Sequence, residues 1–319
     1  MFLCFPVSTI NLQSCLFPQH ITPNITNLVS KAQSLRNELC TQRENAECGL
    51  ARLYHDALSE CVKHIPNHGR AQSFLMSQWC VGASDWIVTL SGVRAELSLS
   101  LLASVYWCFN AKKPVSSTTY AAALETLRML VDCLDSWMNL PKPRPLVDFE
   151  LMNLNIVRVY CHAALNVEAS KDIEVINNDR EVLKVKAQFA RHAYELLAPI
   201  ISIKKSTNPR QQHLLNLCVS LQHEALAECF YSSALVEKEN EKYDTALCIL
   251  EKGTKLMGDS NPQRAQLDVL LRNVKDLKTV FSKEGLSIKS FDWSMIPCCE
   301  CVMFPNTCAE HSESFVRKL

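Results

Sequence analysis

The chain has only seven glycines in 319 residues, and none lies between Gly92 and Gly253. Glycine supplies the positive-φ positions of hairpin turns and lets backbone come close to phosphate. A dinucleotide fingerprint, a phosphate-cradling loop and a nucleophile elbow are therefore excluded across that middle stretch. Net charge is lacking as well. Lys and Arg number 33 and balance 33 Asp and Glu, so no overall field draws nucleic acid or anionic lipid. No apolar run approaches the ~18 residues of a membrane span, which predicts a soluble protein without a transmembrane segment. The first residues, MFLCFPVSTINLQSCLF, carry no basic residue ahead of their apolar part and are interrupted by Pro6, Asn11, Gln13 and Ser14. That pattern does not read as a secretory signal.

What is present favours helix. Long stretches are rich in Leu, Ala, Glu, Lys, Gln and Arg, the best helix formers. The sixteen cysteines do not form a disulfide pattern. Cys108, Cys133, Cys161, Cys229 and Cys248 lie singly within apolar periodic segments and read as small buried hydrophobes in a reducing, cytosolic setting.

Apolar residues recur at spacings of three and four along most of the chain, as one buried helix face requires. Ile25, Leu28, Ala32, Leu35 and Leu39 mark a first helix, and Leu50, Leu53, Tyr54, Leu58, Cys61, Val62 and Ile65 a second. Pro66-Asn67-His68-Gly69 makes a turn. A helix is expected to open near Ser84 and to bury Trp86, Leu90, Val93, Leu97, Leu101, Val105, Cys108 and Phe109. Ala121 to Trp137 forms another and stops before the rigid Pro141–Pro145 linker. Leu151, Leu154, Tyr160, Cys161 and Ala164 follow. Asn178 is placed to cap a helix with Glu181 at the capping-box position.

Asn208-Pro209-Arg210-Gln211 is the sharpest start signal: a cap, proline at the first helical position and Gln three residues on. It opens a helix of ~30 residues, and Tyr243 to Met257 is its return partner. Asn261-Pro262 opens a last helix, ended by Gly285. The reading is all-α, with about nine helices and no strand of any length. An extended arm spans 1–23, a helical domain spans 24–300, and an irregular cysteine-containing tail spans 301–319.

Catalytic and metal constellations are poorly supported. The tail offers Cys298, Cys299, Cys301, Cys308 and His311, but Cys299-x-Cys301 is too tight for zinc and only Cys308-x-x-His311 has usable spacing. His223-Glu224 would need a second histidine at position 227, which is alanine. Neither a metal nor a cofactor is expected, and no enzymatic activity.

Four segments taken together resemble the Bro1 domain, the curved helical module of ESCRT-associated endosomal proteins. Leu214–Met257 is similar to that family's long helix and tetratricopeptide-like return helix. Trp86–Asn110 resembles its central helix of small residues and leucines. Thr119–Trp137 resembles the helix whose apolar face meets a partner, and Ser290–Pro297 the aromatic and apolar-Pro stretch after the last helix. The resemblance is to the short, single-domain members. Cys308 lies too far from Leu319 for the prenylation box of some relatives.

The resemblance implies an elongated, curved helical domain with a tetratricopeptide-like hairpin at its core and an extended C-terminal segment. It further implies a non-enzymatic adaptor of endosomal sorting, cytoplasmic and peripherally associated with endosomal membrane. The implied partner is the C-terminal amphipathic helix of an ESCRT-III subunit, docked on the concave face, with no role for nucleic acid. Carried over by position, Leu124, Leu127, Leu151 and Leu154 would receive the ligand's apolar face, and Arg158 would pair with an acid. On that placement, Leu154→Asp should abolish binding without unfolding the protein. The alternative is a tetratricopeptide-like scaffold that binds another peptide.

Overall fold

A computed structural model of the chain describes residues 2–17, 22–43, 49–65, 75–82, 87–110, 115–137, 148, 150–176, 179–202, 206, 208–257, 264–281 and 290–297. The described elements are β1 (Leu3–Pro6), α1 (Leu12–Leu16), α2 (Pro23–Gln42), α3 (Leu50–Lys63), β2 (Met76–Gly82), β3 (Ile87–Ser91), α4 (Val93–Asn110), α5 (Ser117–Trp137), α6 (Leu151–Asp172), α7 (Arg180–Ile201), α8 (Pro209–Glu239), α9 (Tyr243–Met257) and α10 (Arg264–Phe281). A 3₁₀ turn at Trp293–Met295 follows. Helix dominates, and the all-α class stands.

Two expectations need correction. Residues 1–23 are not simply an extended arm: β1 and α1 bury Phe2, Leu3, Phe5, Leu12, Leu16 and Phe17. The expected helix from Ser84 is a strand over Ile87–Ser91 followed by a helix that starts at Val93. Ser84, Asp85 and Trp86 themselves lie outside the described residues. Ile87, Val88 and Thr89 are β-branched, which favours a pleated strand. Gly92 then takes φ +99°, a left-handed conformation that ends the strand and separates it from α4.

β1, β2 and β3 form an antiparallel sheet in that order. Val7 N–H donates to Gln78 O at 3.0 Å on the β1 side, and Gly92 N–H donates to Leu75 O at 2.7 Å on the β3 side. Alternate residues of β2 therefore bond to opposite neighbours: Gln78 and Cys80 face β1, and Ser77 and Trp79 face β3.

The chain divides into two compact units, residues 1–165 with 203–217, and residues 166–202 with 218–319. At the centre of the first unit is a buried charge. Glu96, in the first turn of α4, accepts from Arg36 Nε at 2.7 Å, Tyr54 Oη at 2.8 Å and Trp79 Nε1 at 2.7 Å. The side chains of Arg36 and Glu96 are both fully buried. Arg36 Nη1 also donates to Ser8 O at 2.5 Å. One carboxylate thus joins α2, α3, β2 and α4. Burial and the Glu96 charge push the Tyr54 phenol well up, so it remains a donor.

His55, on α3 in the same unit, is buried, and its Nδ1 has no hydrogen-bond partner among the described residues. Burial lowers its pKa to about 4, with Asp56 acting in the opposite direction. Because the folded value lies below the ordinary one near 6.5, the neutral ring supports folding fully above pH ~6.5 and that support is lost toward pH ~4. The loss amounts to about 3 kcal/mol across this window. Urea titrations at pH 7.0, 5.5 and 4.5 should show the decline, and His55→Gln should flatten it. An equal decline in the variant would rule His55 out as the cause.

α8 starts in the first unit and from Cys218 onward lies in the second, where it forms the expected hairpin with α9. Asn208 caps α8 by accepting from Arg210 N–H at 3.0 Å, while Gln211 accepts from Ser206 rather than reaching back to the cap. The turn uses no glycine. Glu241 takes φ +61°, Glu241 N–H bonds to Lys238 O, and Lys242 N–H bonds to Glu237 O at 2.9 Å. These are the bonds of a Schellman motif. The cap of α7 is Asp179, whose Oδ1 accepts from Glu181 N–H at 2.9 Å. The expected cap, Asn178, lies outside the described residues.

Gly253 of α9 lies against Phe230 of α8, where a Cβ would stand 3.0–3.1 Å from the ring and its root. That is where the chain needs glycine for close approach. The segment 290–297 folds back onto this core. Trp293 stacks on Tyr194 with centroids 5.4 Å apart, and Phe291 lies 5.6 Å from Phe230. Arg191 Nη1 donates to Trp293 O at 3.1 Å and Ile296 O at 2.6 Å.

Candidate functional site

Helices α4, α5 and α6 meet in the first unit around aromatic side chains. Phe109 of α4 and Tyr160 of α6 have centroids 4.9 Å apart, and Tyr120 of α5 meets Tyr160 edge-on at 6.5 Å. Phe2 fits beside Phe109 at 5.1 Å and stacks on His213 at 5.2 Å. Burial, then the Tyr160 phenol, push the Tyr120 pKa up. A second buried charge completes this region. Asp148 accepts from Tyr106 and from Arg210, and its pKa is raised because burial outweighs the Arg210 charge.

On this frame the five expected contact residues separate. Leu127 and Leu154 are each 3% exposed. Both are core residues, which corrects their expected place on an open face. Each belongs to the buried stripe of its helix, with Ala123, Leu130 and Leu134 on α5 and Ile156, Val157 and Cys161 on α6. The side chain of Leu151 lies outside the described part. Leu124 and Arg158 are half-buried. Arg158 Nη2 donates to Asn155 Oδ1 on its own helix at 3.0 Å.

Residues adjoining these were not anticipated. Met152, Asn155, Val159 and His162 recur at spacings of three and four along α6 and are all half-buried. They form a second stripe beside the core stripe. That periodicity was present in the sequence, but the leucines drew the reading to the buried side. On α5, half-buried Leu124 and Val131 lie beside Arg128. Arg128 bonds Glu125 at 2.7 Å and Asp132 at 3.4 Å, and its hydrogen bond holds Glu125 below the usual carboxylate range. Partly open apolar positions bordered by fixed charges of both signs suit an amphipathic helix as ligand.

Among the described residues the titratable groups do not converge on a reaction site. All eleven described cysteines are thiols, seven of them buried. Burial pushes the pKa of Cys61 up to about 11 and those of Cys218 and Cys229 up to about 12, away from reactive thiolate. Among the described residues, no group of three or more His, Cys, Asp or Glu is placed to hold a metal. The tail ligands Cys298, Cys299, Cys301, Cys308 and His311 lie outside them. No described helix is long and apolar enough to cross a membrane.

The arrangement of elements is that of known Bro1 domains. The solved structure "ALIX BRO1 CHMP4C complex" superposes with a TM-score of 0.65 at 11% identity, over 92% of this chain and 93% of that one. The structure described as "Structure basis for endosomal targeting by the Bro1 domain" gives a TM-score of 0.58, also at 11% identity, over 100% of this chain and 95% of that one. At this identity the likeness is one of fold, and the chain has a Bro1-like fold. No protein-family model matches the sequence, and no curated protein matches it.

Proposed function

We propose that the chain is a non-enzymatic Bro1-like adaptor of endosomal sorting that binds the C-terminal amphipathic helix of an ESCRT-III subunit. The observation that carries this reading is the fold shared over nearly the whole chain with a Bro1 structure described as a complex with CHMP4C. The half-buried stripes of α5 and α6 support it. Leu124, Val131, Met152 and Val159 supply apolar contacts, and Arg158 supplies the charge for an acidic residue of the ligand. The adaptor works in the cytoplasm and associates peripherally with endosomes through its partner. The buried, raised-pKa thiols among the described residues favour binding over catalysis.

The test is a titration of the purified chain with a labelled peptide spanning the CHMP4C C-terminal helix. Leu124→Asp and Arg158→Glu should each weaken binding tenfold or more, or about 1.4 kcal/mol, while the melting temperature stays put. Binding by both variants at wild-type strength would move the site elsewhere. Failure of the unaltered chain to bind would reject the reading itself.

A further inference from the structure

Among the described residues β3 is an edge strand, and the side it turns away from β2 is well defined. The bond from Gly92 N–H to Leu75 O and the register of β2 with β3 fix the alternation. Val88 and Leu90 direct their N–H and C=O groups toward β2, opposite Trp79 and Ser77. Ile87, Thr89 and Ser91 therefore direct theirs away from the sheet. All three are exposed, Ile87 by 50%. Val7 N–H bonding to Gln78 O requires the same alternation from the other side of β2, so the assignment rests on two independent hydrogen bonds.

Exposed edges usually carry protection: lysine, proline, a bulge or a covering element. The opposite edge has it, because β1 ends in Pro6 and lies beside α2 and α4. β3 reads Ile-Val-Thr-Leu-Ser, with no charge and no proline, and its register with β2 runs without a bulge. Across the sheet, Phe5 pairs with Cys80 and Cys80 with Ile87, so one row of apolar side chains runs out to this edge. Phe5 and Cys80 are buried, while Ile87 is half open. The row stops at the edge with its last member still exposed.

We propose that the β3 edge is a second binding site, which receives an extended, uncharged peptide segment of a partner as a fourth strand. Main-chain bonds to Ile87, Thr89 and Ser91 hold it, and an apolar side chain set beside Ile87 continues the Phe5–Cys80–Ile87 row. A second copy of the chain is a poorer occupant. Five residues span only ~17 Å of edge, a strip too small to bury by itself the ~1,000 Å² of a stable protein interface. The site is separate from α5 and α6 and does not depend on the ESCRT-III reading.

Amide hydrogen exchange on the full chain tests it, with a capped hexapeptide of alternating valine and threonine as the probe. Without probe, the Ile87, Thr89 and Ser91 amides should exchange at least tenfold faster than those of Val88 and Leu90. Millimolar probe should slow the first set tenfold or more. Thr89→Pro removes an outward N–H while sparing the β2 ladder, and should abolish the slowing; Thr89→Ala should keep it. Ile87→Lys leaves the backbone intact and should weaken the effect at least tenfold, so the test survives if the proline variant folds poorly. No slowing at millimolar probe would overturn the proposal. So would slowing unchanged in both Thr89→Pro and Ile87→Lys, or protection that rises with protein concentration alone, which would assign the edge to a second copy.

Discussion

Replacing Glu96 by alanine is expected to lower the stability of the first unit by about 3–5 kcal/mol, the cost of breaking a buried ion pair from one side. Arg36 would keep its charge with neither water nor a carboxylate to receive it. The Tyr54 hydroxyl and the Trp79 indole N–H would lose their acceptor in the same step. Each stranded donor adds its own desolvation cost. Arg36→Met combined with Glu96→Leu should recover part of the loss, because removing both charges removes the need for pairing. Urea unfolding of the two variants beside the unaltered chain measures this. A cost below about 1 kcal/mol for Glu96→Ala would mean that the network is a consequence of the packing and not its support.

Leu154→Asp should unfold the first unit. Leu154 is 3% exposed, so the change removes a buried leucine, worth about 2–5 kcal/mol, and places a carboxylate among apolar neighbours. The melting temperature should fall by roughly 10 °C or more. The same substitution at Leu124, half-buried on the open side of α5, should leave the melt nearly unchanged. Comparing the two separates a residue that holds the fold from one that can meet a ligand. If Leu154→Asp melts like the unaltered chain, the burial is wrong and Leu154 returns to the binding surface.

The helices were legible because each carries its own signal. Asn208-Pro209 marks the start of α8, and α9 follows the Tyr243, Ala246, Leu250 and Gly253 spacing over its whole length. The strands were not. The partner of β2 on one side lies near the chain start, so no local pattern announces it. Leu90, Val93 and Leu97 happen to keep a helical spacing across the strand-to-helix junction at Gly92. The charge network was hidden for a similar reason, since Arg36 and Glu96 look like ordinary polar positions on helices that also bury Leu39 and Leu99. At the candidate site, periodicity finds the apolar face of α5 and α6 correctly. It cannot say which leucines are already covered by neighbouring helices. That is set by tertiary packing, which buries Leu127 and Leu154 and leaves Leu124 and Arg158 half-buried.

The pairing of β1 with β2 also sets an order of events during synthesis. Residues 7–75 separate the two strands, so β1 leaves the ribosome well before its neighbour exists. At about 5–20 residues per second that delay is on the order of several seconds. Through it Phe2, Leu3 and Phe5, all buried in the finished chain, stay exposed to solvent. Helices α2 and α3 can form in that time from local contacts, whereas the sheet must wait for a long loop to close. Residues of β1 thus wait unpaired until β2 has been made, and chaperone contact during translation should concentrate on them.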